Sequence, residues 1–209
     1  MADRPRRAGV AVRPDAAEAF ERCIAGGGVV LFAADTVYGL ACDPRSPAAV
    51  ARLYELKGRP ADKPAAVMFF AVEPALAVLA QLGSRTRAAL EALLPAALTL
   101  LLPNSGGLFP LACGPDPMTL GLRVPVLPAL SGVGVPVLQS SANLSGGTDP
   151  RALADVDPSV RDGADLVLDG GTLPGKPSTV LDLRTYEAGG AWSVLREGAV
   201  PRDELARLL

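Results

Sequence analysis

The chain has 209 residues, of which 49% are hydrophobic, 20% charged and only 4% aromatic, with a formal net charge of −2. That length and apolar share allow one substantial core built mainly from Ala, Leu and Val, and the acidic balance argues against a generally nucleic-acid-binding surface. Histidine is absent, which excludes imidazole general bases, His-dependent triads and His-ligated metal sites.

The opening residues carry Arg4, Arg6 and Arg7 with no apolar run behind them, so no signal peptide is expected. Residues 1–12 read as a flexible segment and 13–209 as one domain. A helix is expected from Asp15 to Ala25, ended by three glycines, then a buried strand over residues 29–32 and a loop at Asp35–Gly39. Ser46 as N-cap and Pro47 at the first helical position start a helix that runs to Leu56.

A strand is expected over Pro64–Phe70, then helices over Glu73–Gln81 and Ser84–Leu94, the second capped by Ser84. Strands at 98–102, 118–124, 135–139, 166–168, 179–183 and 192–195 follow, with loops at 104–117 and 140–149 and a last helix over Pro201–Leu209. This interleaving predicts an α/β fold, a single domain on a twisted, mixed parallel and antiparallel sheet flanked by helices. Cys23, Cys42 and Cys113 show no CxxC pairing and read as reduced thiols. The longest apolar runs are too short to cross a bilayer, so a cytoplasmic location and no membrane partner are expected.

Polar residues recur at strand ends: Asp35-Thr36, Thr119, Ser140-Ser141-Ala142-Asn143, Ser178-Thr179 and Arg196. In open α/β sheets, strand ends are where ligand-binding residues collect. Lys57, Arg59 and Lys63 add three cations within seven residues at a helix end. That arrangement suits a polyanion, although the helix macrodipole alone also favours cations there.

Six segments together resemble the YrdC-like threonylcarbamoyl-AMP synthase family in its short, single-domain form. They are DTVYGL from Asp35, KGRPADKP from Lys57, LGLRVP from Leu120, SSANLSGG from Ser140, STVLDL from Ser178 and LREGAV from Leu195. The resemblance implies a large concave cavity and a reaction joining L-threonine, bicarbonate and ATP to threonylcarbamoyl-AMP and pyrophosphate, with Mg²⁺ on the nucleotide. The product serves threonylcarbamoyl modification of adenosine 37 in tRNA, with hand-off to the tRNA threonylcarbamoyl-transfer complex and a weak tRNA contact.

By the same resemblance Lys57, Arg59 and Lys63 hold the triphosphate as the catalytic cations. Thr119, Ser141, Asn143 and Arg196 line the ATP side, and Thr36, Met68, Arg123 and Ser178 the threonine and bicarbonate side. No metal ligand is expected from the protein. Two departures stand out: Ala33-Ala34 replace the family's usual Pro and Thr or Ser before the Asp, and Met68 takes a place often held by histidine. A non-catalytic RNA-binding or ribosome-assembly module, or a paralogue handling another carbamoyl-adenylate, remains the alternative at this stage.

Overall fold

The computed structural model describes Val10–Ala11 and residues 16–209. In chain order the elements are β1 (Val10–Ala11), α1 (Ala16–Ala25), β2 (Val30–Ala33), β3 (Tyr38–Cys42), α2 (Pro47–Leu56), β4 (Ala66–Met68), α3 (Val72–Val78), α4 (Ser84–Leu93) and β5 (Leu98–Pro103). They continue with α5 (Pro110–Cys113), β6 (Thr119–Arg123), β7 (Val137–Ser141), α6 (Pro158–Gly163), β8 (Leu166–Asp169), β9 (Thr179–Asp182), α7 (Tyr186–Gly189), β10 (Ser193–Arg196) and α8 (Arg202–Leu208). The strands form one sheet in the order β1-β8-β2-β3-β7-β4-β6-β5-β9-β10. It mixes parallel pairs such as β2 with β8 and antiparallel pairs such as β3 with β7.

Local chemistry explains most boundaries. The Ser46 hydroxyl accepts the Ala49 N–H at 3.3 Å, and Pro47 follows it, so α2 starts where a capped helix should. Four expectations need correction. Tyr38–Cys42 is a strand that the loop at 35–39 overlaps; all five residues are buried, so no alternation advertises it. Ser84 does not cap α4. The cap position is Gly83, and Glu187 from α7 accepts the Thr86 N–H at 2.8 Å instead. A Cβ on Gly83 would lie 2.1 Å from that carboxyl carbon, so a larger residue there would push the capping carboxylate aside. The loop at 104–117 contains α5, and β7 lies two residues beyond the strand expected at 135–139. Most of the segment expected to be flexible, residues 1–12, lies outside the described residues, but Val10–Ala11 within it pair with β8.

Helices cover the two sheet faces unequally. Residues of α2 through α8 pack on one face around Leu31, Leu40, Val67, Leu100, Leu122 and Leu138. The other face has a smaller cluster, in which Phe20 of α1 stacks edge-on against Phe32 and Phe70. That cluster covers the β8–β2 flank. Toward β9 the same face carries half-buried side chains: Thr99 and Leu101 alternate with fully buried Leu98 and Leu100.

The connection from β8 to β9 constrains the shape of the sheet. These strands hold the second and ninth positions, seven inter-strand steps or roughly 34 Å apart on a flat sheet. Ten peptide steps from Asp169 to Thr179 reach only about 33–36 Å when fully extended. The link must also run diagonally, since β8 and β9 point the same way. A flat sheet cannot be bridged this way, so the flanks curl toward each other and residues 170–178 form a strap across the curve.

Candidate active site

The incompletely covered face gathers most of the candidate residues. Register aligns Gln139, Ala66, Gly121, Leu101 and Asp182 across five strands. Small side chains at Ala66 and Gly121 make this row a floor. One step along, Arg123 lies beside Met68, and Thr99 lies beside Val180, which faces Arg196. Thr119 and Arg123 share this face of β6 four residues apart, which separates them by about 13 Å. The residues expected to bind threonine therefore tend toward one end of this face and those expected to bind nucleotide toward the other, except Arg196, which sits beside Ser178 at the threonine end.

Arg123 centres one end. Its guanidinium donates to Asp35 Oδ1 at 2.6 Å and to Gln139 Oε1 at 3.5 Å. The ion pair is nearly sealed, with side chains 7% and 9% exposed, and burial pushes the Arg123 pKa down despite the Asp35 charge. Gly39 makes this possible, because a Cβ there would come within 2.7 Å of the Gln139 amide nitrogen. Thr36 is buried, and its hydroxyl donates weakly to Asp35 Oδ1 at 3.4 Å. The strap joins here through Gly175, whose N–H donates to the Thr36 carbonyl at 2.9 Å. Arg196 donates to the Ser178 carbonyl at 2.9 Å, and the Ser178 and Thr99 hydroxyls are 2.8 Å apart. Met68 is fully buried in the smaller cluster, together with Ala34.

At the other end Lys57 is also buried. Its ammonium donates to the Ser141 carbonyl, to the Asn143 carbonyl at 2.7 Å and to Asn143 Oδ1 at 3.1 Å. Burial, then the Arg59 charge, lower its pKa from 10.5 to about 8. Asn143 also accepts the Ser141 hydroxyl at 2.5 Å and donates to the Gly147 carbonyl at 2.6 Å. Lys57 thus secures the very loop expected to meet the nucleotide. Arg59 lies 5.6 Å over the Tyr54 ring and donates to the Pro64 carbonyl at 2.5 Å. Lys63 is exposed, its carbonyl held by the Tyr54 hydroxyl at 3.0 Å. Thr119 donates to Asp116 at 2.6 Å, close to Arg184. β7 joins the two ends, since Gln139 and Ser141 are two residues apart and share a face.

The structure therefore brings Thr36, Arg123, Ser178 and Arg196 together on one sheet face, with Met68 buried beside Arg123, and draws Lys57, Ser141 and Asn143 into one knot. Arg59 and Lys63 sit on the adjoining loop, and Thr119 on the β6 rim. Two hollows elsewhere, about 70 Å³ beneath α1 and about 520 Å³ between α3 and α4, are lined by none of these residues.

The model of the Sua5/YciO/YrdC domain family, described as "Telomere recombination", matches residues 22–198. The chain belongs to this family. A threonylcarbamoyl-AMP synthase of Xanthomonas campestris pv. campestris (strain B100) is 37% identical over 174 residues, covering 78% of this chain and 90% of the relative. A crystal structure of Pyrococcus abyssi Sua5 complexed with L-threonine superposes with a TM-score of 0.81 at 28% identity, over 94% of this chain and 58% of that one. Escherichia coli YciO, with a TM-score of 0.74 at 22% identity over 92% of this chain and 94% of its own, shows the shared fold.

Within this Sua5/YciO/YrdC domain, Gln139 and Thr99 join the site through Arg123 and Ser178, and neither belongs to the motifs that the sequence singles out. Gln139 leaves a faint signal, a polar residue inside the apolar run Pro136–Gln139. Tyr38, inside the DTVYGL segment, is fully buried, and its hydroxyl donates to Asp169 at 2.5 Å and to the Gly171 carbonyl at 2.9 Å.

Proposed function

We propose that this chain is a threonylcarbamoyl-AMP synthase, joining L-threonine, bicarbonate and ATP and releasing pyrophosphate. The observation that carries the reading is the convergence of Thr36, Arg123, Ser178 and Arg196, from four separate segments, on one sheet face. A related fold has been solved with L-threonine, and the X. campestris relative bears the synthase name.

In this reading the threonine amine and bicarbonate combine to a carbamate, whose oxygen attacks the α-phosphorus of ATP and expels pyrophosphate. Neither step needs a protein nucleophile; both need alignment and charge neutralisation. Arg123 pairs with a carboxylate, that of threonine or the carbamate, while Thr36 and Ser178 supply hydroxyl contacts and Met68 an apolar wall. Arg59 forks phosphate oxygens, Lys63 adds a point charge, and Lys57 holds the loop that presents Ser141 and Asn143. Thr119 completes the nucleotide side, and Arg196, beside Ser178 and Arg123, stands between the two substrates where the carbamate meets the α-phosphate.

Among the described residues no group of three or more His, Cys, Asp or Glu is placed to hold a metal. Mg²⁺ would be carried in on the triphosphate oxygens, where it would neutralise phosphate charge. The product would pass to the complex that modifies adenosine 37 of tRNA, in the cytoplasm. No helix among the described residues is long and apolar enough to cross a membrane.

The deciding experiment measures ATP-dependent pyrophosphate release, with threonine and bicarbonate omitted in turn. Release that depends on both supports the synthase. Release with another amine in place of threonine would redirect the reading to a different carbamoyl acceptor, and salt-sensitive RNA binding without turnover would end it.

A further inference from the structure

The Asp35–Arg123 pair is incompletely made. Arg123 Nη2 reaches Asp35 Oδ1 at 2.6 Å, but Arg123 Nε and Asp35 Oδ2 are both buried with no hydrogen-bond partner. An arginine and a carboxylate that exist only to brace a fold favour two parallel bonds. Here the second bond is missing, at a place water does not reach. A buried donor and a buried acceptor left open destabilise the folded state unless something else completes them. Gln139 already faces Nη1, and Thr36 already faces Oδ1, so neither neighbour is available to the open atoms.

One kind of molecule completes both atoms at once: an acceptor anion and a donor cation joined through a single carbon, which is a zwitterionic α-amino acid. We propose that Asp35 and Arg123 act as a two-point reader of the amino-acid substrate. On entry the substrate carboxylate takes the guanidinium from Asp35, and the released Asp35 carboxylate accepts N–H from the substrate ammonium.

Asp35, paired with Arg123, thus stands in for the carboxylate that will replace it. The exchange also requires the strap to yield, since the Gly175 N–H bond to Thr36 closes the strap over the residue next to Asp35. Arg196 contributes a second positive charge near Arg123, which favours arrival of the anionic end. The proposal rests on the synthase reading and adds Asp35 to it as a specificity residue.

The test is calorimetric binding to the full chain, with and without ATP, and needs no turnover. The ligands are L-threonine, 2,3-dihydroxybutanoate, which lacks the amine, and 1-aminopropan-2-ol, which lacks the carboxylate. Each analogue is expected to bind the wild type at least tenfold more weakly than threonine. In Asp35→Asn the gap between threonine and 2,3-dihydroxybutanoate should close, while the gap to 1-aminopropan-2-ol remains. Equal binding of threonine and 2,3-dihydroxybutanoate to the wild type overturns the reader and leaves the synthase reading standing, and so does an Asp35→Asn variant that keeps the gap. Selective binding of a different α-amino acid upholds the reader and removes threonine as substrate. If no α-amino acid binds, both fall. Should Asp35→Asn not fold, the wild-type ligand series decides by itself.

Discussion

Arg59 is held from two sides, by the Tyr54 ring at 5.6 Å and the Pro64 carbonyl at 2.5 Å, so its guanidinium is ordered before any phosphate arrives. Arg59→Ala is expected to weaken ATP binding, or the transition state, by about 1.5–3 kcal/mol per lost charge-assisted bond. Pyrophosphate-release kinetics on a folded variant check this, and unchanged activity would remove the clamp. Arg123→Ala should raise the KM for threonine more than that for ATP; the reverse would exchange the two ends of the site.

Lys57 gives a pH signature of two opposed signs. Its folded pKa, about 8 against an ordinary 10.5, means that between these values the unfolded chain binds more protons. The contribution of Lys57 to stability therefore rises with pH across that window. Over the same range the ammonium that secures the 141–143 loop is lost, so activity should fall above about pH 8. Denaturation of the wild type and Lys57→Met, compared from pH 7 to 9, reads the first slope, and the pH profile of pyrophosphate release reads the second. A stability difference that falls as pH rises would contradict the burial argument.

At the scale of elements, α4 starts on a carboxylate 101 residues downstream of the Thr86 N–H it accepts. Glu187 accepts the Thr86 N–H at 2.8 Å and the Arg85 N–H at 3.5 Å, satisfying amides that every helix leaves open at its first turn. These bonds hold the Glu187 pKa below 4.5. Its stabilisation is therefore present above that pH and lost as pH falls through the lowered value. Glu187→Gln should lower the thermal midpoint at pH 7 and leave little difference from the wild type at acidic pH, with activity unchanged. The helix at 84–94 could be recognised from its own residues, but its cap could not, because a cap supplied by a distant segment has no local signature. β3 was missed for a related reason: a central strand buried on both faces shows no period of two.

The whole molecule turns on the strap. Its reach is close to the limit of ten peptide steps, so removing two residues between Gly171 and Pro177 should prevent the β8 and β9 flanks from being bridged. Loss of cooperative unfolding in that deletion is the expected result. Inserting two glycines at the same place adds only a small loop-closure term. It should preserve the fold while loosening the Gly175–Thr36 contact, which would show as a raised KM for threonine. A deletion variant as stable as the wild type would mean that the sheet is not drawn together by this segment.

The sequence alone determined the α/β alternation, most helices and strands, and the residue types at the site, because periodicity, capping and turn chemistry are local. Its six motifs were also enough to reveal the family. Tertiary structure decided which polar residues share a sheet face, that Lys57 spends its charge on a loop, and that Asp35 occupies Arg123. Those facts depend on strand order and register, which set the neighbours of each residue across the sheet. A linear chain carries no direct record of contacts formed between positions 88 residues apart.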